Sequence, residues 1–349
     1  MKSGIASMTE PEIRLPDAEQ LVVSSSPHFH CGNSVAKIML LVILALLPAC
    51  LVAVYYFGVA AFRVLTLCML FCVGTEALCS KLMKRPLEIN DFSALLTGLL
   101  LGMNLPPGTP SWICLVGSLI AIGIGKMAYG GMGQNPFNPA LVGRVALLVS
   151  FPQAMNTWQI PGMDSVSGAT PLQELGMLQQ KALAGDSAEL NEFLQNIPYG
   201  DYMLGNMGGS LGEACALALI LGGIFLIVIR VVRWQIPVFM IATVAVCSTL
   251  AWLAKPDLCA PPQFHLLSGG LILGAFFMAT DPVTSPMSRL GAILFAIGCG
   301  LIVCAIRFWG NYPEGISFAI LVMNAMTPLL DKVTMRKPFG TQKKAVKNA

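Results

Sequence analysis

Charge is what this sequence has least of. Lys and Arg number 21 and Asp and Glu 18 among 349 residues, 11% together, against about 25% in soluble domains. That scarcity excludes an ordinary soluble globule. The net charge of +3 is modest, and no nucleic-acid partner is expected. Nucleotide signatures are also missing: there is no G-x-x-x-x-G-K-[ST] loop and no G-x-G-x-x-G between a strand and a helix, which excludes NAD or ATP binding by those means. No Ser/His/Asp order stands out for hydrolysis. Cysteine is not scarce, at 11, but C-x2-C spacing is absent and most cysteines fall inside apolar runs, where they read as small packing residues. Cys68 and Cys72 share a helix face and could ligate a cluster, though no C-x2-C spacing supports it; His28 and His30, two apart, could be metal ligands but on an extended segment read as surface contacts, and no metal is expected.

What fills the chain is apolar residue, 55% of the total, with a mean hydropathy of +0.72. Runs of about 17 to 22 nearly uncharged residues match the length that crosses roughly 30 Å of hydrocarbon as helix. The expected fold is an all-α integral membrane protein with ten spans, at 37–57, 59–80, 91–105, 111–128, 136–152, 211–229, 235–254, 265–280, 289–307 and 314–330. Residues 1–36 form a polar arm with no apolar core, so it is not expected to be a signal peptide. The first membrane repeat is then 37–152, a long polar loop is 153–210, the second repeat is 211–330, and a basic tail is 331–349. Leu95–Gly98 in the third span echoes Leu266–Gly269 in the eighth, and both spans are short, Gly-rich and ended by Pro106-Pro107 and Asp281-Pro282. Five spans per half require the second half to run inverted, an arrangement common in transporters.

Orientation follows from the distribution of Lys and Arg. Lys81, Lys84, Arg85, Lys126, Arg230, Arg233, Arg289 and the basic tail mark the cytoplasmic side, with both termini. The 153–210 loop has only Lys181 against six acidic residues and is expected outside.

Four places carry candidate chemistry. Asp164-Ser-Val-Ser-Gly-Ala-Thr170 is a small-residue turn in which Ser167, Gly168 and Ala169 place little bulk beside the Thr170 hydroxyl, leaving its oxygen within reach of a large ligand. Tyr129-Gly-Gly-Met-Gly-Gln-Asn-Pro-Phe-Asn-Pro-Ala140 offers the amides of Gln134, Asn135 and Asn138 to a planar heterocycle; a helix cap with a tight turn uses the same residues. Arg144, inside a span, needs a partner such as Glu76 or a head group, unless it snorkels to the cytoplasmic face. Asp281 closes the eighth span as a cap for the ninth, an ion contact or a flavin contact, and His265 opens the eighth span on the outer side, facing whatever Thr170 carries.

Together these motifs, with His265-Leu-Leu-Ser-Gly269 and Thr280-Asp-Pro-Val-Thr284, resemble the family formed by the D subunit of the Rnf electron-transport complex and the B subunit of the sodium-pumping NADH:quinone oxidoreductase, over about residues 25–340. The shorter arm and Gln134–Pro139 favour the Rnf branch. The resemblance implies FMN joined through a phosphoester to Thr170 by a separate flavin transferase, and a second, non-covalent flavin, riboflavin, near Asn135, Asn138 and Arg144. It also implies residence in the bacterial inner membrane with the flavin loop periplasmic. Five other subunits are implied as partners, iron–sulfur and flavin proteins among them, passing electrons between ferredoxin and NAD with movement of Na+ or H+. A rival expectation is an inverted-repeat channel or transporter for ions or small solutes, in which Ser167–Thr170 is only a turn.

Overall fold

In the computed structural model, residues 34–85, 89–161, 167–310, 312 and 314–334 are described. The expectations for His28, His30, Asp164 and the basic tail beyond Thr334 lie outside these residues.

The described chain opens with α1 (Val35–Leu82), 48 residues long. A straight helix of that length would run about 72 Å, more than twice the hydrocarbon thickness. Gly58, with φ 62 and ψ −143, turns it back, a backbone state that glycine adopts without a Cβ penalty. Both ends of α1 accordingly lie at one level: Ile38 lines the same cleft as Lys126, and Lys126 pairs with Glu76. The two segments, 35–57 and 59–82, answer to the first two expected spans.

The short α2 (Ser93–Met103) packs along the second of these segments, where a Cβ on Gly98 would lie 2.6 Å from the Cys68 carbonyl oxygen; small residues allow such close approach between membrane helices. α3 (Ser111–Leu119) continues into a π turn, Ile120–Ile124. α4 (Pro139–Ser150) starts on Pro139 with Asn138 as its cap, proline being preset for the first helical position.

The segment 153–210, expected to be a polar loop, is instead a folded cap. It holds α5 (Pro152–Met155), a ribbon of β1 (Trp158–Gln159) and β2 (Ser167–Gly168) paired antiparallel, then α6 (Pro171–Leu183), α7 (Ala188–Gln195) and α8 (Tyr199–Leu204). Leu172, Leu175, Leu190, Ile197 and Tyr202 form its own apolar core. The reason is visible in α6, where Leu172, Leu175, Leu178 and Ala182 recur every three to four residues and make an apolar stripe on an otherwise polar helix.

The second half comprises α9 (Ala216–Val228), α10 (Gln235–Ala254), a broken eighth span made of α11 (Pro262–Leu267), α12 (Leu271–Leu273) and a π turn Gly274–Met278, then α13 (Arg289–Trp309) and α14 (Ile316–Thr334). Each of the ten expected spans overlaps a helix, but the third, fifth and sixth (α2, α4 and α9) are short and the eighth is interrupted at 268–270. Among the described residues five helical segments are long and apolar enough to cross a membrane: α1, 111–129, α10, α13 and α14. The protein is thus a multi-pass membrane protein whose membrane part is helical, with the β1–β2 ribbon confined to the cap. The echo between Leu95–Gly98 and Leu266–Gly269 does not extend to conformation: the first lies within continuous α2, whereas the second ends α11 and leaves Gly269 at φ 71.

Candidate functional site

Thr170 stands at the head of α6. Its side-chain oxygen accepts from Gln173 N at 3.2 Å, and its own N donates to Gln173 Oε1 at 3.2 Å, a reciprocal box that satisfies two otherwise orphaned helix-start donors. The expectation of an exposed hydroxyl is corrected: Ala169 is exposed, but Thr170 is only 1% exposed. Small neighbours here serve close packing rather than access. A Cβ on Gly168 would meet Ile160 at 3.0 Å, and one on Gly208 would lie 3.5 Å from the Ala169 carbonyl oxygen. Ser167 contributes backbone, pairing with Gln159 across the ribbon.

The hydrogen bonds of the box are compatible with a phosphoester, but at 1% exposure the closed segment must open to hold one. An ester at the threonine oxygen replaces only its hydrogen, which takes part in neither bond of the box, and the oxygen keeps its acceptor role toward Gln173 N. At the start of the 13-residue α6, Pro171 has no N–H, Gln173 N is held by the Thr170 oxygen and Glu174 N by the Thr170 carbonyl, so Leu172 N and the positive end of the helix dipole are what it offers a phosphate.

A second locus is a cleft lined by Ser93, Thr97, Lys126, Asn135, Asn138 and Asp281, with Phe276 and Phe277 on its apolar wall. It lies at the N-terminal end of α4 and the C-terminal end of α9, whereas the cap joins the other ends of the same two helices. Cleft and cap therefore sit at opposite ends of α4 and α9. The space free inside the cleft is about 80 Å³, below the ~300–1,000 Å³ usual for small-molecule sites. Asn138 is fully engaged: its Oδ1 caps α4 through Ala140 N at 3.1 Å and its Nδ2 donates to the Met278 carbonyl at 3.1 Å. Asn135 donates to the Phe137 carbonyl at 3.0 Å. Asp281 does not cap α13, a role Ser288 takes with Gly291 N at 2.8 Å; Asp281 instead accepts from Val283 N and Thr284 Oγ1, each at 3.3 Å, and faces the cleft.

Two cations change place relative to expectation. Lys126, counted among cytoplasmic loop charges, is buried and bonded to Glu76 and, at 2.6 Å, to Ser93 Oγ. Arg144 neither joins Asn135 and Asn138 nor meets Glu76 nor snorkels. It bonds Glu314 at 3.3 Å and lies 5.8 Å from the Trp158 ring centre, a cation–π distance. Five residues into α4 it has risen about 7.5 Å from Pro139, away from the cleft and toward the cap. His265 is buried among rings, edge-on to Phe264 and Phe308 at 5.5 Å each, and its carbonyl accepts from Arg307 at 2.6 Å. Sequence reasoning missed Lys126, Ser93, Phe276 and Phe277 as cleft residues. The one available signal was a lysine, Lys126, lying inside the expected span 111–128 rather than beyond its end.

A membrane protein with a folded cap at one end of its helices and a polar cleft at the other is the class these features define. The sequence pattern of the NQR2, RnfD, RnfE family matches residues 22–340, and the chain belongs to that family. It is 46% identical over 325 residues, 92% of this chain and 96% of the relative, to the D subunit of the proton-translocating ferredoxin:NAD(+) oxidoreductase complex of Clostridium ljungdahlii. It is 45% identical over 326 residues, 93% of this chain and 96% of the relative, to the Na(+)-translocating counterpart of Acetobacterium woodii. Over 334 residues, 88% of this chain and 93% of the relative, it is 46% identical to the D subunit of the ion-translocating oxidoreductase complex of Stutzerimonas stutzeri.

Proposed function

We propose that this chain is the flavin-carrying membrane subunit of an Rnf-type complex that moves electrons between ferredoxin and NAD with translocation of Na+ or H+. The observation that carries the reading is the 45–46% identity, across about nine-tenths of the chain, to subunits named for that activity. The other Rnf subunits are its partners, and a flavin transferase matures it. The ten helical segments form two inverted sets of five in the bacterial inner membrane, with the termini and the cleft cytoplasmic and the cap periplasmic.

FMN esterified to Thr170 supplies an electron relay at the cap. The chain's own residues hold and orient it: Pro171 and the Gln173 box fix the direction of the threonine oxygen, and the start of α6 offsets phosphate charge. Attachment at a 1% exposed oxygen requires the transferase to meet the segment before it closes, or to open it. Riboflavin would enter this cleft once its walls part, with Asn135 as a polar edge, Phe276 and Phe277 as an apolar wall and the Glu76-paired Lys126 beside it, the mixture a planar cofactor needs.

The test is denaturing electrophoresis of the chain co-expressed with its transferase. A flavin-fluorescent band is expected at 37 kDa, lost in Thr170→Ala; no band in the unaltered chain rejects the reading in favour of a channel or transporter. A cysteine probe at exposed Ser187 is expected to react from outside the cell.

A further inference from the structure

Two carboxylates meet inside the protein with only one cation in contact. Glu213 ends the short turn Leu211–Glu213 before α9 and is 4% exposed. Glu314 precedes α14, with its side chain 14% exposed. One oxygen of each has a partner: Ser210 Oγ donates to Glu213 Oε1 at 2.8 Å, and Arg144 Nη2 donates to Glu314 Oε2 at 3.3 Å. The other two oxygens, Glu213 Oε2 and Glu314 Oε1, are buried and have no hydrogen-bond partner, although the two carboxyl groups are within hydrogen-bonding reach of each other.

The surroundings do not supply the missing donor. Arg307 is near enough to feel both acids, but its Nη1 and Nη2 donate to the carbonyls of His265 and Ser268 at 2.6 and 3.1 Å, and its Nε is itself buried without a partner, so it bonds neither carboxylate. Among the described residues, Arg144–Glu314 is the one ion pair involving either acid. The remaining titratable groups are Cys304, beside Arg307 on α13, and His265 on α11, packed between rings. Gly209 leaves room at the orphaned oxygen, since a Cβ there would lie 2.8 Å from Glu213 Oε2.

We propose that Glu213 and Glu314 form a buried proton-binding site, with one proton held between Glu213 Oε2 and Glu314 Oε1. Two ionised carboxylates in contact and out of water repel strongly, and such pairs bind and release protons as a unit. A single proton converts two orphaned acceptors into a donor and an acceptor. It leaves one negative charge, which Arg144 neutralises. The site sits near the ribbon, through the Arg144–Trp158 contact, and stands whether or not Thr170 carries FMN.

Infrared spectroscopy of the full chain, grown with carboxyl-13C glutamate, tests this through the protonated-carboxyl C=O stretch. At neutral pH the purified protein is expected to show one such band that moves in D2O and shifts with the glutamate label. Glu213→Gln is expected to abolish it, because Glu314 then ionises against Arg144, while Glu192→Gln on α7 leaves it in place. Absence of a label-sensitive band in the unaltered chain overturns the proposal and needs no variant that must fold. Persistence of the band in Glu213→Gln, checked for monodispersity, also overturns it.

Discussion

Lys126 and Glu76, fifty positions apart, form a buried ion pair. Through Ser93 Oγ, a further hydrogen-bond partner of Lys126, the pair ties the end of segment 111–129 to both α1 and α2 on the wall of the cleft. Removing one member of a buried pair strands the other charge, at a cost of about 3–5 kcal/mol. Lys126→Met and Glu76→Gln are each expected to lower the melting temperature in detergent sharply. The double variant should recover a large part of the loss; strictly additive losses in that cycle count against the pairing.

Thr170 has two roles that separate by substitution. Thr170→Ala removes the cap of α6 as well as the oxygen and should cost about 1 kcal/mol of cap stability. Thr170→Ser keeps the hydroxyl and the box, so the cap should melt as in the unaltered chain. Hydrogen exchange of the α6 amides reads this independently of any flavin, and faster exchange in the serine variant would contradict the capping role.

Asn138→Ala is a poor reporter of the cleft, because Asn138 both caps α4 and ties it to the Met278 carbonyl. Asn135→Ala removes a contact local to its own turn. The expectation is that Asn135→Ala lowers non-covalent flavin recovered per chain with the melting temperature nearly unchanged, whereas Asn138→Ala lowers both. Full flavin recovery in Asn135→Ala would remove that residue from the site.

Tyr202, in the core of the cap, carries a pH signature. Burial first, then the charges of Glu174 and Asp201 and the neighbouring Tyr199, raise its phenol from the ordinary 10.0 to about 12. Because the folded value is the higher, its contribution to stability is complete below pH 10 and is lost as pH rises through about 12, where the unfolded phenol ionises and the folded one resists. Tyr202→Phe should flatten that alkaline decline in cap stability, followed by hydrogen exchange of α6 and α8. An identical decline in the variant would place its cause elsewhere.

Much of the fold was legible locally. The positions of the membrane helices follow from apolar runs, and the caps follow from residues one to three positions away: Asn138-Pro139 opens α4, and Thr170-Pro171 with Gln173 opens α6. The apolar stripe of α6 was equally present in the sequence; the surrounding polar composition of 153–210 concealed it. The reversal at Gly58 was readable only as a gap between two runs.

The sequence by itself determined a helical membrane protein, its family and the helix starts, because hydropathy and capping act within a span or a single turn. Tertiary structure alone decided that the Thr170 hydroxyl is buried, that Lys126 leaves the loop for Glu76, and that Arg144 turns away from Asn138 to Glu314. It also brought Glu213 against Glu314. Inside a low-dielectric protein a charge takes whichever partner packing presents, and Arg144 and Glu314 are 170 positions apart, a separation over which local sequence carries no pairing information.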